Sequence, residues 1–314
     1  MPLRSNYQQS SLNSTAAFRV KPRIGITQGD PAGVGPEVVR AALASGVLSG
    51  KFDYEMIGDL GTVLPGEPTM DSARQSLEAL EKAASMAKNG EIQAVVTGPV
   101  SKAQLHQVGF EYPGQTEFFA ARTGTEDYAM CLTGGALTVA LVTAHIPLKD
   151  VVAQLKTSEI VRVGNLLTQF LQQRNISRPR VAMAGLNPHA GEEGDLGREE
   201  IEMVAPAVEV LRELWGTEAS FSAPLAPDTV FYRTVKGEFD GVLCLYHDQG
   251  LIPLKLHAFD QGVNVTLGLP YPRTSPDHGT AFAIAGKSLA RPDSMIAAIR
   301  LAGEMLEGSA DCVA

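Results

Sequence analysis

The alternation of apolar runs with helical segments, from Arg23 onward, constrains the fold of this chain more than any other feature. RIGITQGDPAGVGPEVVRAAL predicts a strand, a glycine-rich turn and a helix that begins near Pro36. FDYEMIG predicts a second strand, MDSARQSLEALEKAASMAKNG a helix, and IQAVVTGPVSKAQLHQVG a strand followed by a helix. This alternation is typical of an α/β protein with a mostly parallel sheet.

The middle of the chain has a different pattern. YAMCLTGGALTVALVTAH predicts two strands that meet at Gly134 and Gly135, and VVAQLKTSEIVRVGNLLTQFLQQ predicts a long amphipathic helical region. A hairpin at this point indicates a second domain with a mixed sheet. The last helix, predicted from about Pro292 to Leu306, returns to the pattern of the first part.

Composition excludes several classes of protein. The chain has 314 residues, of which 44% are hydrophobic and 19% charged, which is typical of a globular protein with a substantial core. Its net charge of -9 argues against a nucleic-acid surface or an anionic membrane as partner. Any ligand that bears a phosphate must therefore bind in a local cationic pocket.

Cysteine usage and the terminal sequence favour a cytoplasmic location. Cys131 and Cys244 lie in apolar, strand-like runs, so we expect free buried thiols rather than disulfides or metal ligands. No apolar run reaches the length of about eighteen residues that a membrane span requires. Residues 1–20 are polar and rich in Ser, Asn and Gln, which predicts a flexible tail.

The segment from Leu245 to Lys287 contains several side chains of types that bind ligands or catalyse reactions. It contains a His-Asp pair, a lysine, an asparagine, an arginine and an Asp-His pair, each beside glycine or proline. Such residues let the backbone approach a ligand closely, so the segment predicts a functional site. The alternative is a helix-capping loop with a few solvated charges.

Three histidines follow apolar strands in the same way. His145, His189 and His247 come after TVALVTA, RVAMAGLNP and GVLCLY, and strand ends at one edge of a sheet converge. Three neutral imidazoles with open coordination positions suit a catalytic divalent metal such as zinc, cobalt or manganese. Three separately hydrogen-bonded loop histidines are the alternative, because the separations contain no local ligand spacing.

A classical dinucleotide fingerprint is absent from the sequence. No G-x-G-x-x-G follows a strand and there is no P-loop, so an ordinary Rossmann site is not supported. GDPAGVGPE predicts a tight strand-to-helix turn. In DHGTAFAIAGK, a His-Gly pair ahead of small residues offers close backbone approach to a flat ligand such as adenine.

Eight motifs together resemble the 4-hydroxythreonine-4-phosphate dehydrogenase family. They are GDPAGVGPE, TGPVSK, GQTEFFA, TAHIPL, GLNPHAGE, PDTVF, YHDQGLIPLK and GVNVTLGLPYPRTSPDHGTA, and the resemblance spans Arg23 to Leu306. Two of these segments are also similar to the isocitrate and isopropylmalate dehydrogenase fold. The resemblance implies two α/β domains around a central cleft, residues 21–113 plus 271–314 forming the first and residues 114–270 the second.

The resemblance also implies site residues. It assigns the metal to His145, His189 and His247. It assigns substrate contacts to Gln115, Thr116, Lys255, Asn264 and Arg273. It assigns a cofactor site to His278, Gly279, Thr280 and Ala281. The family's usual motif is GHTEF, and this chain has Gln115 in the position of that histidine.

Acid-base roles are assigned to residues of the motif loops. Lys102 in TGPVSK, Asp228 in PDTVF and Asp248 beside His247 are the candidates, because a desolvated lysine or an aspartate behind a metal ligand can move a proton. An aspartate next to a metal ligand can equally be its orienting partner.

The implied activity is the oxidation and decarboxylation of 4-phosphohydroxy-L-threonine in pyridoxal phosphate (vitamin B6) synthesis. The implied cofactors are NAD, with NADP as the open alternative, and a divalent metal (Zn, Co, Mg or Mn). The implied assembly is a homodimer whose subunits share metal ligands. Because of Gln115, an enzyme for threonate or erythronate 4-phosphate or for an aromatic-acid dihydrodiol is the alternative. A metal hydrolase or lyase without NAD and a non-catalytic scaffold are further hypotheses.

Overall fold

The computed structural model describes residues 21–58 and 63–311, and that part contains ten strands and ten α-helices. The strands are β1 (Arg23–Thr27), β2 (Asp53–Ile57), β3 (Ala94–Thr97), β4 (Ala129–Gly134), β5 (Leu137–Leu141), β6 (Arg180–Ala184), β7 (Ser220–Leu225), β8 (Gly241–Cys244), β9 (Val263–Leu267) and β10 (Arg273–Pro276). The helices are α1 (Gly35–Ala44), α2 (Met70–Lys88), α3 (Lys102–His106), α4 (Gln115–Thr123), α5 (Val151–Gln154), α6 (Thr157–Gln173), α7 (Ala205–Trp215), α8 (Pro227–Val235), α9 (His247–Ala258) and α10 (Asp293–Asp311). The predicted flexible tail, residues 1–20, lies outside the described residues.

All ten strands form one mixed sheet in the order β2-β1-β3-β10-β9-β4-β5-β8-β6-β7. The strands β2, β1, β3 and β10 are parallel to one another, as are β5, β8, β6 and β7. Antiparallel pairs that involve β9 and β4 join these two groups. The predicted α/β class and the β4–β5 hairpin at Gly134 and Gly135 are therefore confirmed.

Local signals fix several helix ends. The helix α2 begins with a capping box, in which Thr69 accepts from the Ser72 amide and Ser72 accepts from the Thr69 amide. The helix α4 ends at Gly124, whose left-handed conformation (φ 67°) is one that glycine adopts without steric cost.

None of the helices in the described ranges is long and apolar enough to cross a membrane. Within the same ranges, Cys131 and Cys244 are buried free thiols, as predicted.

Helices cover both faces of the sheet, but the two faces differ. On the first face, α1, α6, α7 and α10 pack on a hydrophobic core that is continuous from Ile24 in β1 to Phe221 in β7. On the second face, the core is divided into two clusters. One cluster lies around Phe118 and Phe119 of α4 and includes α2 and α3, whereas the other lies around Leu254 of α9 and includes α8.

The gap between these two clusters forms a cleft over the middle of the sheet. The strands β3, β10, β9 and β4 lie beneath it, and α3, α4 and α9 flank it. The division into residues 21–113 plus 271–314 and residues 114–270 stays a prediction, since one sheet runs through both parts. The helix α4, which begins the second part, packs against α2 of the first.

The GDPAGVGPE turn is built for close packing. A Cβ added at Gly29, where φ is +76°, would lie 2.3 Å from the carbonyl oxygen of Pro99. A Cβ added at Gly33 would lie 2.8 Å from the carbonyl oxygen of Thr280, which also accepts a hydrogen bond from the Val34 amide. These glycines therefore allow the turn between β1 and α1 to pack closely against the distant turn around Thr280.

Candidate active site

The cleft contains a cavity of about 360 Å³ that gathers most of the predicted site residues. Of the predicted residues, those that line it are Lys102, Gln115, Thr116, His145, Lys255, Asn264, Arg273, His278 and Gly279. They come from seven different segments of the chain. The sequence therefore predicted a set of side chains that the fold brings to one place.

Arg273 is the cation at the base of the cavity and is only 2% exposed. Its guanidinium donates to the hydroxyls of Thr97 and Thr266 and to Oε1 of Gln115, at 2.9 Å from Nη2 in the last case. Burial lowers the pKa of Arg273 to about 10, and the nearby carboxylate of Glu117 opposes this shift. The side chain is therefore still a cation at neutral pH, and its Nε has no hydrogen-bond partner within the described structure.

Polar groups on β9, α4 and α9 complete the anion-binding side of the cavity. Lys255 Nζ donates to Oδ2 of Asp277 at 2.7 Å, so this lysine is held beside the cavity. The hydroxyl of Thr116 lies 3.2 Å from that of Thr266. Oδ1 of Asn264 is buried and has no partner among residues 21–58 and 63–311. The two cations Arg273 and Lys255 can thus face an anionic ligand, whereas Oδ1 of Asn264 can accept a hydrogen bond from a ligand hydroxyl.

His145 lines the cavity and forms a pair with His247, which lines a second pocket that His145 also borders. They follow the carboxyl ends of the adjacent parallel strands β5 and β8, and their ring centres are 5.8 Å apart. Asp248 Oδ1 lies 2.6 Å from Nδ1 of His247, which fixes a tautomer with a free lone pair on Nε2. Desolvation, and then the charge of Lys102, lower the pKa of His145 below 6.5. A neutral imidazole at neutral pH is the form that binds metal.

His189 follows the carboxyl end of β6, next to β8 in the sheet, but lies on a separate loop. Its φ is +52°, and Ala190, Glu192 and Glu193 also have positive φ, so the loop makes a left-handed turn. The buried carboxylate of Glu200 accepts hydrogen bonds from the amides of Leu186 and Asn187, near the start of this loop. This acceptor holds the loop in a conformation that non-glycine residues rarely adopt.

Two histidines of the chain fit a metal ion, and the third does not join them. A metal–nitrogen bond of about 2.1 Å on each ring fits between His145 and His247 at their observed separation. Within the described ranges, no group of three His, Cys, Asp or Glu side chains is placed to hold a metal. The three-histidine site therefore stays a prediction.

The predicted cofactor turn borders the cavity. His278 Nδ1 lies 3.0 Å from the carbonyl oxygen of Gly279, and its Nε2 is buried without a partner in the described part of the chain. A Cβ added at Gly279 would meet nothing within 4 Å, so space adjoins the backbone there. Thr280 is buried against the first turn of the chain, and Ala281 has a φ of 44°. An open backbone beside an unsatisfied ring nitrogen fits a flat heteroaromatic ligand.

The three acid-base candidates lie in different surroundings. Lys102 begins α3 and lines the cavity. Asp248 contacts His247, which favours the orienting role that the sequence left open. Asp228 is exposed in the first turn of α8, outside the cavity lining, and α8 packs against the loop that carries His189. Asp228 and His189 therefore lie on the same side of the molecule.

Two carboxylates of the cavity were given no role by the sequence analysis, although Asp277 belongs to the Asp-His pair noted in the segment from Leu245 to Lys287. Asp277 pairs with Lys255, and Glu117 lines the cavity next to the predicted Thr116. Both stand inside motifs, in PDHG and GQTEF, so their position beside predicted residues was the available signal. The contact between Gln115 and Arg273 joins residues 158 positions apart and had no local signal.

The family model of the pyridoxal phosphate biosynthetic protein PdxA matches residues 33–302 of the chain. A 4-hydroxythreonine-4-phosphate dehydrogenase from Caulobacter vibrioides is 41% identical, over 90% of this chain and 97% of that protein. The crystal structure of the Klebsiella pneumoniae enzyme of the same name is 38% identical, with a TM-score of 0.79 over 91% of this chain and 99% of that one.

Two other solved structures are also similar. A terephthalate 1,2-cis-dihydrodiol dehydrogenase from Burkholderia xenovorans is 28% identical, with a TM-score of 0.67 over 91% of this chain and 98% of that chain. A β-decarboxylating dehydrogenase from Thermococcus kodakarensis is 17% identical, with a TM-score of 0.51 over 92% of this chain and 84% of that chain. The latter shares the fold alone and agrees with the predicted isocitrate and isopropylmalate dehydrogenase-like class.

Proposed function

Because the chain belongs to the PdxA family of pyridoxal phosphate biosynthetic proteins, we propose that it is a 4-hydroxythreonine-4-phosphate dehydrogenase. The reaction is oxidation of 4-phosphohydroxy-L-threonine by NAD and decarboxylation to 3-amino-2-oxopropyl phosphate, a step in vitamin B6 synthesis. The observation that carries the proposal is a cavity lined by the buried cation Arg273 and by His145, whose ring centre lies 5.8 Å from that of His247. This chemistry requires that the anionic groups of the substrate bind beside a divalent metal.

In the proposed mechanism, the substrate is held through its anionic groups. Arg273 is oriented by its bonds to Thr97, Thr266 and Gln115, and its free Nε is an available donor. Lys255 adds a second cation beside the cavity. Asn264 offers an acceptor for a hydroxyl of the substrate. Fixed donors and acceptors of this kind place the reacting carbon without reorganisation during the reaction.

We propose that His145 and His247 hold the divalent metal, together with His189 of a second copy of the chain. When bound, such a metal supplies a Lewis acid that acidifies the substrate hydroxyl and accepts negative charge as carbon dioxide leaves. Asp248 keeps His247 in the tautomer that can bind. Lys102, at the cavity wall, is the proposed proton carrier, and Asp228 of the second copy would approach with His189.

We propose that the turn from His278 to Ala281, which borders the cavity, would hold the nicotinamide cofactor, and that the cofactor would supply the hydride acceptor. The unsatisfied Nε2 of His278 and the open backbone at Gly279 support this placement. NAD is the proposed cofactor, and NADP remains the alternative.

The buried free thiols Cys131 and Cys244 agree with a cytoplasmic location, which is also part of this proposal.

A homodimer with a shared site is supported by an apolar surface on α9. Ile252, Leu256 and Phe259 lie on one side of this helix and the turn after it, and they are 64% to 87% exposed. Exposed apolar patches of this kind mark interaction sites, and α9 begins at His247. A second copy seated here would lie next to the proposed metal site.

Mixing two inactive variants should therefore restore activity in one combination and not in another. His189→Ala mixed with His247→Ala under subunit exchange should recover about a quarter of the parent activity. Half of the random dimers are mixed, and each mixed dimer has one intact site of two. His145→Ala mixed with His247→Ala is the matched control and should recover nothing, because every mixed site lacks one of the pair. Recovery in both mixtures, or in neither despite proven exchange, would contradict the shared site.

Gln115→His should change kcat/KM for 4-phosphohydroxythreonine by less than about tenfold near neutral pH. The amide oxygen of Gln115 accepts from Arg273, and a neutral imidazole can replace that acceptor at a difference of about 1 kcal/mol. An imidazolium cannot accept and repels the guanidinium, so the variant should lose activity relative to the parent below about pH 6.5. The ratio of the two kcat/KM profiles from pH 5.5 to 8.5 measures this, and a flat ratio would refute the contact.

The experiment that tests the proposed function is NADH formation by the purified protein with a divalent metal. The substrates to compare are 4-phosphohydroxythreonine, the 4-phosphates of threonate and erythronate, and a cis-dihydrodiol of an aromatic acid. We expect the first to have the highest kcat/KM. The alternative dehydrogenases are favoured by Gln115 and by the similarity to the dihydrodiol enzyme. If the parent protein had its highest kcat/KM with another substrate, and Gln115→His reversed that preference, the alternative dehydrogenases would be supported.

A further inference from the structure

Glu117 is a carboxylate of the cavity that the proposed mechanism does not use. It lies in the first turn of α4, two residues after Gln115, and faces the same cavity as Arg273 and Lys102. A Cβ added at the neighbouring Gly114 would lie 3.1 Å from its Oε2 and 3.5 Å from Nζ of Lys102. Its charge acts on both Arg273 and His145. Glu117 is therefore close enough to both Arg273 and His145 for its charge to act on each.

The Oε2 atom of Glu117 is buried and has no hydrogen-bond partner in the described structure. A buried charged oxygen without a donor is costly, so native structures normally supply one. The other carboxylate of the cavity, Asp277, already has its donor in Lys255 at 2.7 Å. Glu117 is thus the carboxylate at this cavity that is left to receive a donor from a ligand.

The proposed substrate offers one cationic donor among several anionic groups. Its phosphate and carboxylate need cations, which Arg273 and Lys255 provide. Its ammonium group would be repelled by these same residues and needs an anion. A hydrogen bond between ionised groups is short and about twice as strong as a neutral one.

We propose that Glu117 binds the ammonium group of the substrate and thereby makes the enzyme prefer an amino hydroxy acid to the matching dihydroxy acid. This inference rests on the proposed function. It gives the cavity a chemical means of separating 4-phosphohydroxythreonine from the 4-phosphates of threonate and erythronate. These differ from it at the second carbon, where a neutral hydroxyl replaces the ammonium.

The test is the variant Glu117→Gln, which keeps the shape of the side chain and removes its charge. Loss of one charge-assisted bond should lower kcat/KM for 4-phosphohydroxythreonine by about 10- to 100-fold. The values for threonate and erythronate 4-phosphates should change by less than about threefold, because a neutral amide can still bond a hydroxyl. Glu117→Asp, which retains the charge, should recover part of the preference. Glu78→Gln, an exposed change on α2, is the matched control and should behave as the parent.

Two other results would overturn the inference. An equal loss with all three substrates would make Glu117 a counter-ion that only positions Arg273. A fall in Zn²⁺ or Co²⁺ affinity, measured by calorimetric titration of the variant, would assign Glu117 to the metal instead.

A separate result would contradict the proposed function itself: the parent protein would form no NADH from 4-phosphohydroxythreonine. Dissociation constants of the same phosphorylated acids, measured without NAD, still decide the inference in that case. A selective loss of the amino compound in Glu117→Gln supports it, and an unchanged ratio between the ligands refutes it.

Discussion

Replacement of either His145 or His247 by alanine should lower kcat/KM by about a thousandfold or more and abolish tight metal binding. The two rings form the pair that one chain contributes to the proposed metal site. A Lewis acid contributes several kcal/mol to such a transition state, and about 4 kcal/mol corresponds to a thousandfold. Both side chains are at least partly exposed, so the free energy of unfolding should change by less than about 1 kcal/mol.

The measurements are metal content after dialysis, kcat/KM with saturating metal, and the melting temperature. His106→Ala is the control, because His106 is exposed and lies near the Tyr112 carbonyl rather than in the cavity lining. It should retain the parent activity and metal content. If the His145 and His247 variants both bound metal as the parent does, the assignment of this pair would be wrong.

Replacement of Arg273 by methionine should lower kcat/KM by at least about a hundredfold, chiefly through a higher KM. Thr97, Thr266 and Gln115 already accept from three of the five guanidinium N–H groups, so the variant would lose the two charge-assisted bonds that the others can give the substrate, each worth about 1.5 kcal/mol or more. The anionic group is bound in both the ground state and the transition state. The fall in kcat/KM should therefore come mostly from a higher KM, with kcat changing less. Arg273→Lys keeps the charge but not the planar fork, so it should lie between the parent and the methionine variant.

The control is Arg300→Met, an exposed residue of α10 that donates to the Val47 carbonyl. Steady-state kinetics with 4-phosphohydroxythreonine and equilibrium binding of the substrate check both arginines. An Arg273→Met variant with the KM of the parent would show that the phosphate and carboxylate bind elsewhere. Its melting temperature should be measured too, since the buried hydroxyls of Thr97 and Thr266 lose a donor.

The candidate site was predicted in part from local signals. His145 and His247 could be found because each follows a strand that is visible as an apolar run, and parallel strands end at one edge. Arg273, Lys255 and Asn264 could be found because they lie in one dense segment and in family motifs. The same motifs contained Glu117, but nothing in GQTEF shows that its carboxylate is left without a donor. That property depends on side chains from other elements.

The separation of His189 from the pair was not visible in the sequence. All three histidines follow strands in the same way, and β6 is indeed next to β8. Their final positions depend on the loops, and the loop of His189 takes a left-handed course over the carboxylate of Glu200. Contacts with the later residue Glu200 stabilise this strained conformation. Rules that use only neighbouring residues do not describe such contacts.

The sequence by itself determined many of the strands and helices, the α/β class and the family, because hydrophobic period, glycine turns and helix caps act within a few residues, but it gave no signal for β7 and α8. Only the tertiary structure decided the order of the strands, in which β9 and β4 join two parallel groups. It also decided that the core on one face is divided into two clusters, so that a cavity opens above Arg273. The physical reason is that strand pairing and side-chain packing join residues far apart in the chain, and their energies depend on the whole fold.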